Sequence, residues 1–203
     1  MNKNRLEAFS DGVLAIIITI MVLEIKVPEG TEWVSLKPLI PVFLSYILSF
    51  VFVGIYWGNH HHLLHTVKII SSGIIWANMN LLFWLSLIPF ATGWMGENHF
   101  AVNTVVAYAA LLLINGLSYT ILQIAVEKTN PQPQKLAEAM AKSKTKGLLS
   151  LVGYGLAIGL AYVNTLISAI FIVLVAVMWL VPDKNIERAL QEKTNTNGSN
   201  HNE

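Results

Sequence analysis

Residues 9–23 read FSDGVLAIIITIMVL, which places one carboxylate, Asp11, at the start of an otherwise apolar segment. An ionisable side chain next to a membrane-length hydrophobic run is costly, and such groups usually pair with polar neighbours or serve a function. One side of the predicted helix carries residues at steps of three or four, and nearly all of them are aliphatic. They are Gly12, Ile16, Thr19, Ile20, Leu23 and Val27. The stretch predicts a membrane helix with a polar end and an aliphatic face.

The composition indicates a membrane protein. Of the 203 residues, 54% are hydrophobic and only 12% are charged, and the mean hydropathy is +0.56. A soluble domain usually carries about 25% charged residues. Six segments have the apolar length that a membrane-spanning helix needs. They are residues 9–27, 39–58, 72–93, 101–126, 147–163 and 165–181. The sequence therefore predicts an all-α, polytopic membrane protein with six transmembrane helices.

The last two segments form one apolar stretch, residues 147–181. This is too long to cross a bilayer of about 30 Å once, so the chain must turn back. The sequence Tyr162-Val163-Asn164 is the best turn candidate, because Asn tolerates turn geometry and Tyr suits the membrane interface. Gly155 and Gly159 have the GxxxG spacing that allows close packing of two helices.

The basic residues are distributed unequally between the two sides that six spans create. Eleven of the 13 lysines and arginines fall on the side of the termini, and only Lys26 and Lys37 fall on the other. The positive-inside rule then predicts that both termini are cytoplasmic. We expect residues 1–183 to form the membrane domain and the polar residues 184–203 to form a cytoplasmic tail, disordered at its end.

Three of the predicted helices bring polar side chains to the same cytoplasmic level. The residues are Ser10, Asp11, Trp57, Asn59, His60, Trp76, Asn78 and Asn80. A carboxylate, an imidazole, amides and an indole N–H can satisfy one another in apolar surroundings, with Arg5 nearby. The simplest interpretation is a hydrogen-bond cluster that holds the helices together; ion sensing, gating and catalysis are alternatives.

The sequence carries little sign of metal or enzyme chemistry. His61 and His65 lie one helical turn apart beside His60 and His62, which is a spacing that can bind a metal. The other two histidines, His99 and His201, are predicted elsewhere, so we expect no metal site and no cofactor. No GxxxxGK[ST], GxSxG, HExxH or GxGxxG motif occurs, which disfavours an enzyme. A net charge of +1 gives no reason to expect a nucleic-acid partner.

Three stretches resemble the transmembrane protein 175 family, the potassium channels of endolysosomes and their prokaryotic relatives. They are RLEAFSDGVLAIIITIMVLEI (residues 5–25), YWGNHHHLLH (residues 56–65) and WANMNLLFWLSLIPF (residues 76–90). The FSDG sequence in the first helix is the hallmark of the family. The resemblance implies a leak-type channel permeable to potassium, whose first helices surround a central pore.

The resemblance also assigns residues of the first helix. It implies a hydrophobic constriction at Ile16, Ile20 and Leu23, with Ile16 narrowest, and a contribution of Thr19 to cation selectivity. Family members lack a P-loop filter, in agreement with the absence of a TVGYG sequence here. A polar network would support the pore helix. Its members would be Arg5, Ser10, Asp11, Trp57, His60 and Asn78.

Animal members of the family carry two six-helix repeats, whereas this sequence has a single FSD motif. The resemblance therefore implies a homotetramer in a bacterial inner or plasma membrane, with lipid, potassium and other monovalent cations as its partners. Periodicity alone does not distinguish a pore-lining face from one packed in the core or against lipid. We expect Ile17, about 100° around the helix from Ile16, to face lipid. A secondary transporter and a proton-permeable channel are the alternatives.

Overall fold

The structure is a computed structural model that describes residues 2–131 and 133–180, so the predicted tail at residues 184–203 lies outside the described residues. The regular structure of the described part is entirely helical, with seven α-helices and two short 3-10 stretches, Val22–Glu24 and Trp33–Leu39. The α-helices are α1 (Lys3–Met21), α2 (Ile40–His65), α3 (Ser72–Leu85), α4 (Ile88–Glu97), α5 (Val102–Thr129), α6 (Gln134–Ala161) and α7 (Thr165–Leu180).

Local sequence explains where several helices begin. The Asn2 side chain accepts a hydrogen bond from the Arg5 backbone N–H at 3.0 Å, and Ser71 accepts one from Ile74 at 3.3 Å. Such side chains satisfy N–H groups that have no partner inside the first turn. Helix α2 begins with Pro41 in its first turn, where the missing N–H costs nothing.

The third predicted span is interrupted. Helix α3 ends at Leu85 and α4 begins at Ile88, so residues 72–93 do not form one continuous helix. Pro89 has no N–H to donate to the preceding turn, and its ring disfavours an unbroken helix. The Ser86 hydroxyl donates to the Phe83 carbonyl oxygen at 2.7 Å beside the break.

Four segments are long and apolar enough to cross a membrane, and α7 is a shorter apolar helix. These segments are Lys3–Glu24, Trp33–His65, Ser72–Glu97 and Val102–Thr129. The all-α, multi-pass membrane fold predicted from the sequence is therefore confirmed. The hairpin between α6 and α7 is also confirmed. Asn164 lies between the two helices and accepts a hydrogen bond from the Leu166 N–H at 2.8 Å.

Polar contacts join the helix ends on each side of the bundle. At one end, Lys3 donates to the His65 carbonyl oxygen at 3.1 Å, so α1 and α2 run antiparallel. At the other end, the Lys26 ammonium lies 2.5 Å from the Glu97 carboxylate, which raises the pKa of Lys26. The first contact ties α2 to the start of α1, and the second ties the loop after α1 to the end of α4.

Glycines mark two close contacts between helices. A Cβ atom at Gly96 of α4 would lie 2.6 Å from the Val42 Cα atom in α2, and one at Gly153 of α6 would lie 2.8 Å from a Val175 methyl group in α7. By contrast, a Cβ atom at Gly155 or Gly159 would meet nothing within 4 Å in the described part of the chain. The expected GxxxG contact is therefore absent from the part of the chain that the structure describes, because these glycines lie off the surface that packs on α7.

Gly96→Ala should destabilise the bundle, because the added methyl group must push α4 away from the α2 backbone. Overpacking of this kind costs about 1–3 kcal/mol, measurable as a lower thermal midpoint of the purified protein in detergent. Gly155→Ala is the matched control and should leave the midpoint unchanged or raise it, since alanine favours a helix interior. Equal midpoints for the two variants would contradict the close contact at Gly96.

Candidate functional site

Helix α1 has one face packed inside the chain. Its buried residues recur at steps of three or four, which is the spacing of one side of an α-helix. They are Leu6, Ser10, Leu14, Ile17 and Met21. Because α2, α3 and α4 all contact α1, this face determines how α1 is rotated about its axis.

The opposite face of α1 is exposed in the single chain. Ile16 is 57% exposed, Thr19 and Ile20 are exposed beyond it, and Leu23, in the 3-10 stretch that follows α1, is 76% exposed. Ile17 is only 4% exposed, so the expectation that it faces lipid is wrong. The reason is its position seven residues after Ser10, two helical turns along the same buried side.

A buried chain of hydrogen bonds connects α1 to α2 and α3. The Asn78 amide donates to the Ser10 hydroxyl at 3.0 Å, and the Asn78 carbonyl oxygen lies 2.6 Å from His60 Nε2. Because an amide oxygen can only accept, His60 must carry a proton on Nε2. The Ser10 hydroxyl in turn donates to the Leu6 carbonyl oxygen at 2.9 Å. The structure thus brings together three of the six residues expected in the polar network.

A second, more exposed contact lies one residue further along α1. The Trp57 indole N–H donates to Asp11 at 3.0 Å, and the His61 ring stacks on Trp57 with centroids 6.2 Å apart. Arg5 is exposed, and its side chain makes no hydrogen bond or ion pair with residues 2–131 or 133–180. A role for Arg5 in the network therefore stays a prediction.

Other polar residues at this level join different helices. Asn80 donates to the Ser118 hydroxyl at 2.9 Å, which links α3 to α5. Asn59 donates to its own helix and accepts at its backbone from the Tyr119 hydroxyl at 3.1 Å. Trp76 is exposed. Within the described residues, the hydrogen bonds of Asn59 and Asn80 go to α2 and α5 and not to α1.

The histidine cluster forms ring contacts in the described structure. His61 meets His62 and His65 edge to face, with centroids 5.8 Å and 6.2 Å apart. Over residues 2–131 and 133–180, no three His, Asp or Glu side chains are grouped so that they could hold a metal ion.

Thr19 occupies the middle of the exposed face. Its hydroxyl oxygen lies 2.9 Å from the Ile16 carbonyl oxygen and 3.1 Å from that of Ala15, so its hydrogen points back into the helix. The oxygen lone pairs are then left for the exposed side, where they can accept a hydrogen bond or contact a cation.

A groove of about 540 Å³ separates the exposed face of α1 from α4. Ile16 and Ile20 line it on one side and Phe90 and Trp94 on the other. At its end, the Glu24 carboxylate lies against Gly93, where a Cβ atom would be 2.5 Å from a carboxylate oxygen. The groove thus borders the exposed aliphatic face of α1, and the Glu24 carboxylate lies at its end.

Sequence reasoning missed a second buried polar cluster. The Ser49 hydroxyl lies 2.6 Å from the Thr92 hydroxyl and 2.8 Å from that of Tyr108, which joins α2, α4 and α5. Hydroxyl residues inside apolar spans were the available signal, since membrane-buried hydroxyls usually find partners on neighbouring helices.

Asn78→Leu should destabilise the protein more than Asp11→Asn. The leucine leaves the His60 N–H without an acceptor in an apolar site, at a cost of about 1–3 kcal/mol, whereas asparagine keeps an acceptor for Trp57 at a more exposed position. Thermal unfolding in detergent measures both losses. A midpoint for Asn78→Leu as high as that of Asp11→Asn would contradict the larger contribution of the buried hydrogen bonds to stability.

Comparison with known proteins identifies the family. Residues 5–89, which include most of α1, all of α2 and the whole polar network, match the family model described as endosomal/lysosomal potassium channel TMEM175. A potassium channel from Chryseobacterium sp. (strain P1-3) is 54% identical over 192 residues, which cover 95% of this chain and 100% of that protein. A potassium channel from Streptomyces collinus is 31% identical over 81% of this chain and 85% of that protein.

A solved structure and a vertebrate relative extend the comparison. The crystal structure of a lysosomal potassium-selective channel TMEM175 homolog from Chamaesiphon minutus superposes with a TM-score of 0.75 at 26% identity, covering 89% of this chain and 97% of that one. The human endosomal/lysosomal proton channel TMEM175 is 41% identical over 34% of this chain and 16% of that protein. These relatives are named as channels and not as enzymes. With a bacterial relative matched along its whole length, this chain belongs to the TMEM175 family.

Proposed function

We propose that four copies of this chain form a potassium-permeable channel whose central pore is lined by α1. The main support is the exposed aliphatic face of α1, opposite the face that Ser10 anchors inside the chain. A pore-lining helix needs one side for its own subunit and another for the pore, and α1 has both. The bacterial relatives that match most of this chain are named potassium channels.

The exposed face also carries polar features that lipid contact would not require. Thr19 presents a hydroxyl oxygen in its middle, and Glu24 lies beyond its end. In a channel, oxygen atoms inside the pore favour cations, and a carboxylate near a mouth raises the local cation concentration. Asp11, bound to Trp57, serves in this proposal to hold the pore helix in place.

Rings of Ile16, Ile20 and Leu23 would form the hydrophobic constriction. Such rings stop ion flow by dewetting, so conduction requires side chains to rotate or the helices to move apart. From Ile16 through the end of α1 to Leu23 in the following 3-10 stretch, the chain rises roughly 11 Å at about 1.5–2 Å per residue, which makes the dry section short relative to the bilayer. With no TVGYG sequence in the chain, selectivity would come from Thr19 and from the width of the constriction.

The proposed channel crosses the cell membrane of its bacterial host six times, with both termini in the cytoplasm. The excess of lysine and arginine on the side of the termini supports this orientation. The contact between the start of α1 and the end of α2 makes these helices antiparallel, and the contact between the loop after α1 and the end of α4 makes α1 and α4 parallel, as this topology requires.

The purified channel should be a tetramer. A ring of four identical chains follows from one copy of the pore helix in each chain and from the closed symmetry usual for homo-oligomers. Native mass spectrometry of protein whose potassium flux has been verified should give four times the chain mass of 22.5 kDa. A monomer or dimer as the conducting species would overturn the proposed assembly.

Ile16→Asn should raise cation current and weaken the preference for potassium over sodium, because a polar ring hydrates the constriction. Bi-ionic reversal potentials in reconstituted bilayers measure both effects. Ile170→Asn is the control, since Ile170 is similarly exposed but lies on α7, away from the proposed pore. Ile17 cannot serve as a lipid-facing control, because its side chain is buried. Equal currents for the two variants would contradict the proposal that Ile16 lines the pore.

Proton permeation is a second candidate function, favoured by the vertebrate relatives that are named proton channels. Between Gly12 and Leu23, α1 carries no titratable side chain, so protons would have to cross on water in the constriction. Liposomes with separate potassium and pH gradients distinguish the two ions. A secondary transporter would instead show saturable flux coupled to a second gradient.

A further inference from the structure

A cavity of about 330 Å³ lies among α2, α5, α6 and α7, away from α1. Phe52 and Tyr56 of α2 form part of its wall, and Leu151 and Tyr154 of α6 face them. Other residues of α2, Trp57 and His60, contact α1 and α3 instead. The cavity is therefore separate from the proposed pore but shares α2 with the network that holds the pore helix.

The cavity wall contains two tyrosine hydroxyls that make no hydrogen bond within the described part of the chain. Two other buried tyrosines do have partners: the Tyr108 hydroxyl bonds to Ser49 and the Tyr119 hydroxyl donates to the Asn59 carbonyl oxygen. Tyr56 and Tyr154 are only 9% and 2% exposed, yet no hydrogen bond within residues 2–131 and 133–180 uses either hydroxyl. A phenol O–H in an apolar site is costly without an acceptor, so these groups indicate an occupant that supplies one.

The charged side chains near the cavity favour a neutral occupant over an anionic one. Lys144 lines it, but its ammonium lies 2.5 Å from the Glu127 carboxylate and is neutralised there. Lys146 lies over the Trp179 ring, with its ammonium 5.9 Å from the ring centroid. An anionic head group would have to compete with Glu127 for Lys144, whereas a hydroxyl, ether or carbonyl oxygen needs only the tyrosine donors.

We propose that this cavity is a binding site for a neutral single-chain amphiphile, whose head oxygen accepts hydrogen bonds from Tyr56 and Tyr154. The alkyl chain lies against the apolar wall formed by residues such as Phe52, Ile55 and Leu151. The volume equals that of roughly ten liquid water molecules and falls in the range of small-molecule sites. Mostly apolar walls offer water few partners, which favours an amphiphile over a water cluster.

Occupancy should also affect ion flux, a step that rests on the proposed channel function. Tyr56 and Trp57 are neighbours on α2, and Trp57 donates to Asp11 on the pore helix. An occupant that shifts α2 therefore moves Trp57, whose hydrogen bond to Asp11 holds α1 in place.

Photolabelling of the full-length protein in lipid bilayers tests the site. The probe is an eight-carbon primary alcohol carrying a diazirine, and adducts are located by mass spectrometry with and without excess 1-octanol. We expect octanol-protected adducts on residues that line the cavity, such as Tyr56, Thr120 and Tyr154. Adducts spread over lipid-exposed residues and unaffected by octanol would overturn the proposal, since they would show only that the probe dissolves in the bilayer.

Matched variants test whether the protected adducts arise from the cavity. Thr120→Phe fills the cavity and should abolish the protected adducts, whereas Ile121→Phe, on the exposed side of the same helix, should keep them. Leu151→Trp is a second filling variant if Thr120→Phe fails to fold. Tyr56→Phe combined with Tyr154→Phe should weaken protection by 1-octanol about fivefold, as expected for lost neutral hydrogen bonds. Unchanged protection in this double variant would contradict recognition by the tyrosines.

A flux measurement separates the site from the proposed channel function. Octanol at a concentration that fully protects the site should change potassium flux in the unmodified protein but not in Thr120→Phe. Because labelling does not require conduction, a labelled protein without potassium flux would contradict the channel and leave the binding site established. A conducting protein whose flux octanol leaves unchanged would contradict the coupling through α2.

Discussion

The hydrogen bond between Asn78 and Ser10 determines which face of α1, the proposed pore helix, is buried and which is exposed. Helix α1 is aliphatic on nearly every side between Val13 and Leu23, so hydrophobic burial alone gives its rotation little preference. A hydroxyl and an amide inside an apolar bundle must pair, and their pairing turns Ser10 inward. Helical periodicity then buries Leu14, Ile17 and Met21 and leaves the opposite face exposed.

The same amide extends this constraint to α2, because Asn78 also accepts from His60. Asp11 and Trp57 add a second link between α1 and α2 at the adjoining level. At the other end of α1, the ion pair of Lys26 with Glu97 ties the following loop to α4. Polar contacts therefore hold α1 at both ends, and the aliphatic section between them carries the proposed constriction. This arrangement separates residues that fix the helix from residues that would meet ions.

Much of the architecture followed from the sequence because it depends on strong physical signals. Apolar length gave the multi-pass helical fold, and a 35-residue apolar stretch required the turn that lies at Tyr162 to Asn164. The polar residues Ser10, His60 and Asn78 were expected to meet because unpaired polar groups are costly in a membrane. Details that depend on the direction of packing were not predicted. The spacing of Gly155 and Gly159 does not say which side of α6 faces a neighbour.

The burial of Ile17 shows the same limit within one helix. Ile16, Ile17 and Ile18 are chemically equal, so the sequence of α1 contains no hydrophobic contrast that distinguishes its faces. The polar network does distinguish the faces, because a buried Ser10 places Ile17, two turns later, on the same buried side. The roles proposed for Ile16, Thr19, Ile20 and Leu23 depend on the neighbouring subunits of the proposed tetramer, so they do not follow from the packing of one chain.

Cysteine accessibility along α1 tests most directly whether this helix lines the pore. The chain has no cysteine, so each position from Gly12 to Leu23 can carry a single introduced thiol without a background reaction. A charged, water-soluble thiol reagent should block potassium flux with helical periodicity, most strongly at Ile16, Thr19 and Leu23 and least at Leu14, Ile17 and Met21. Block that peaks at the second group, or block that is equal at both, would contradict a pore lined by the exposed face of α1.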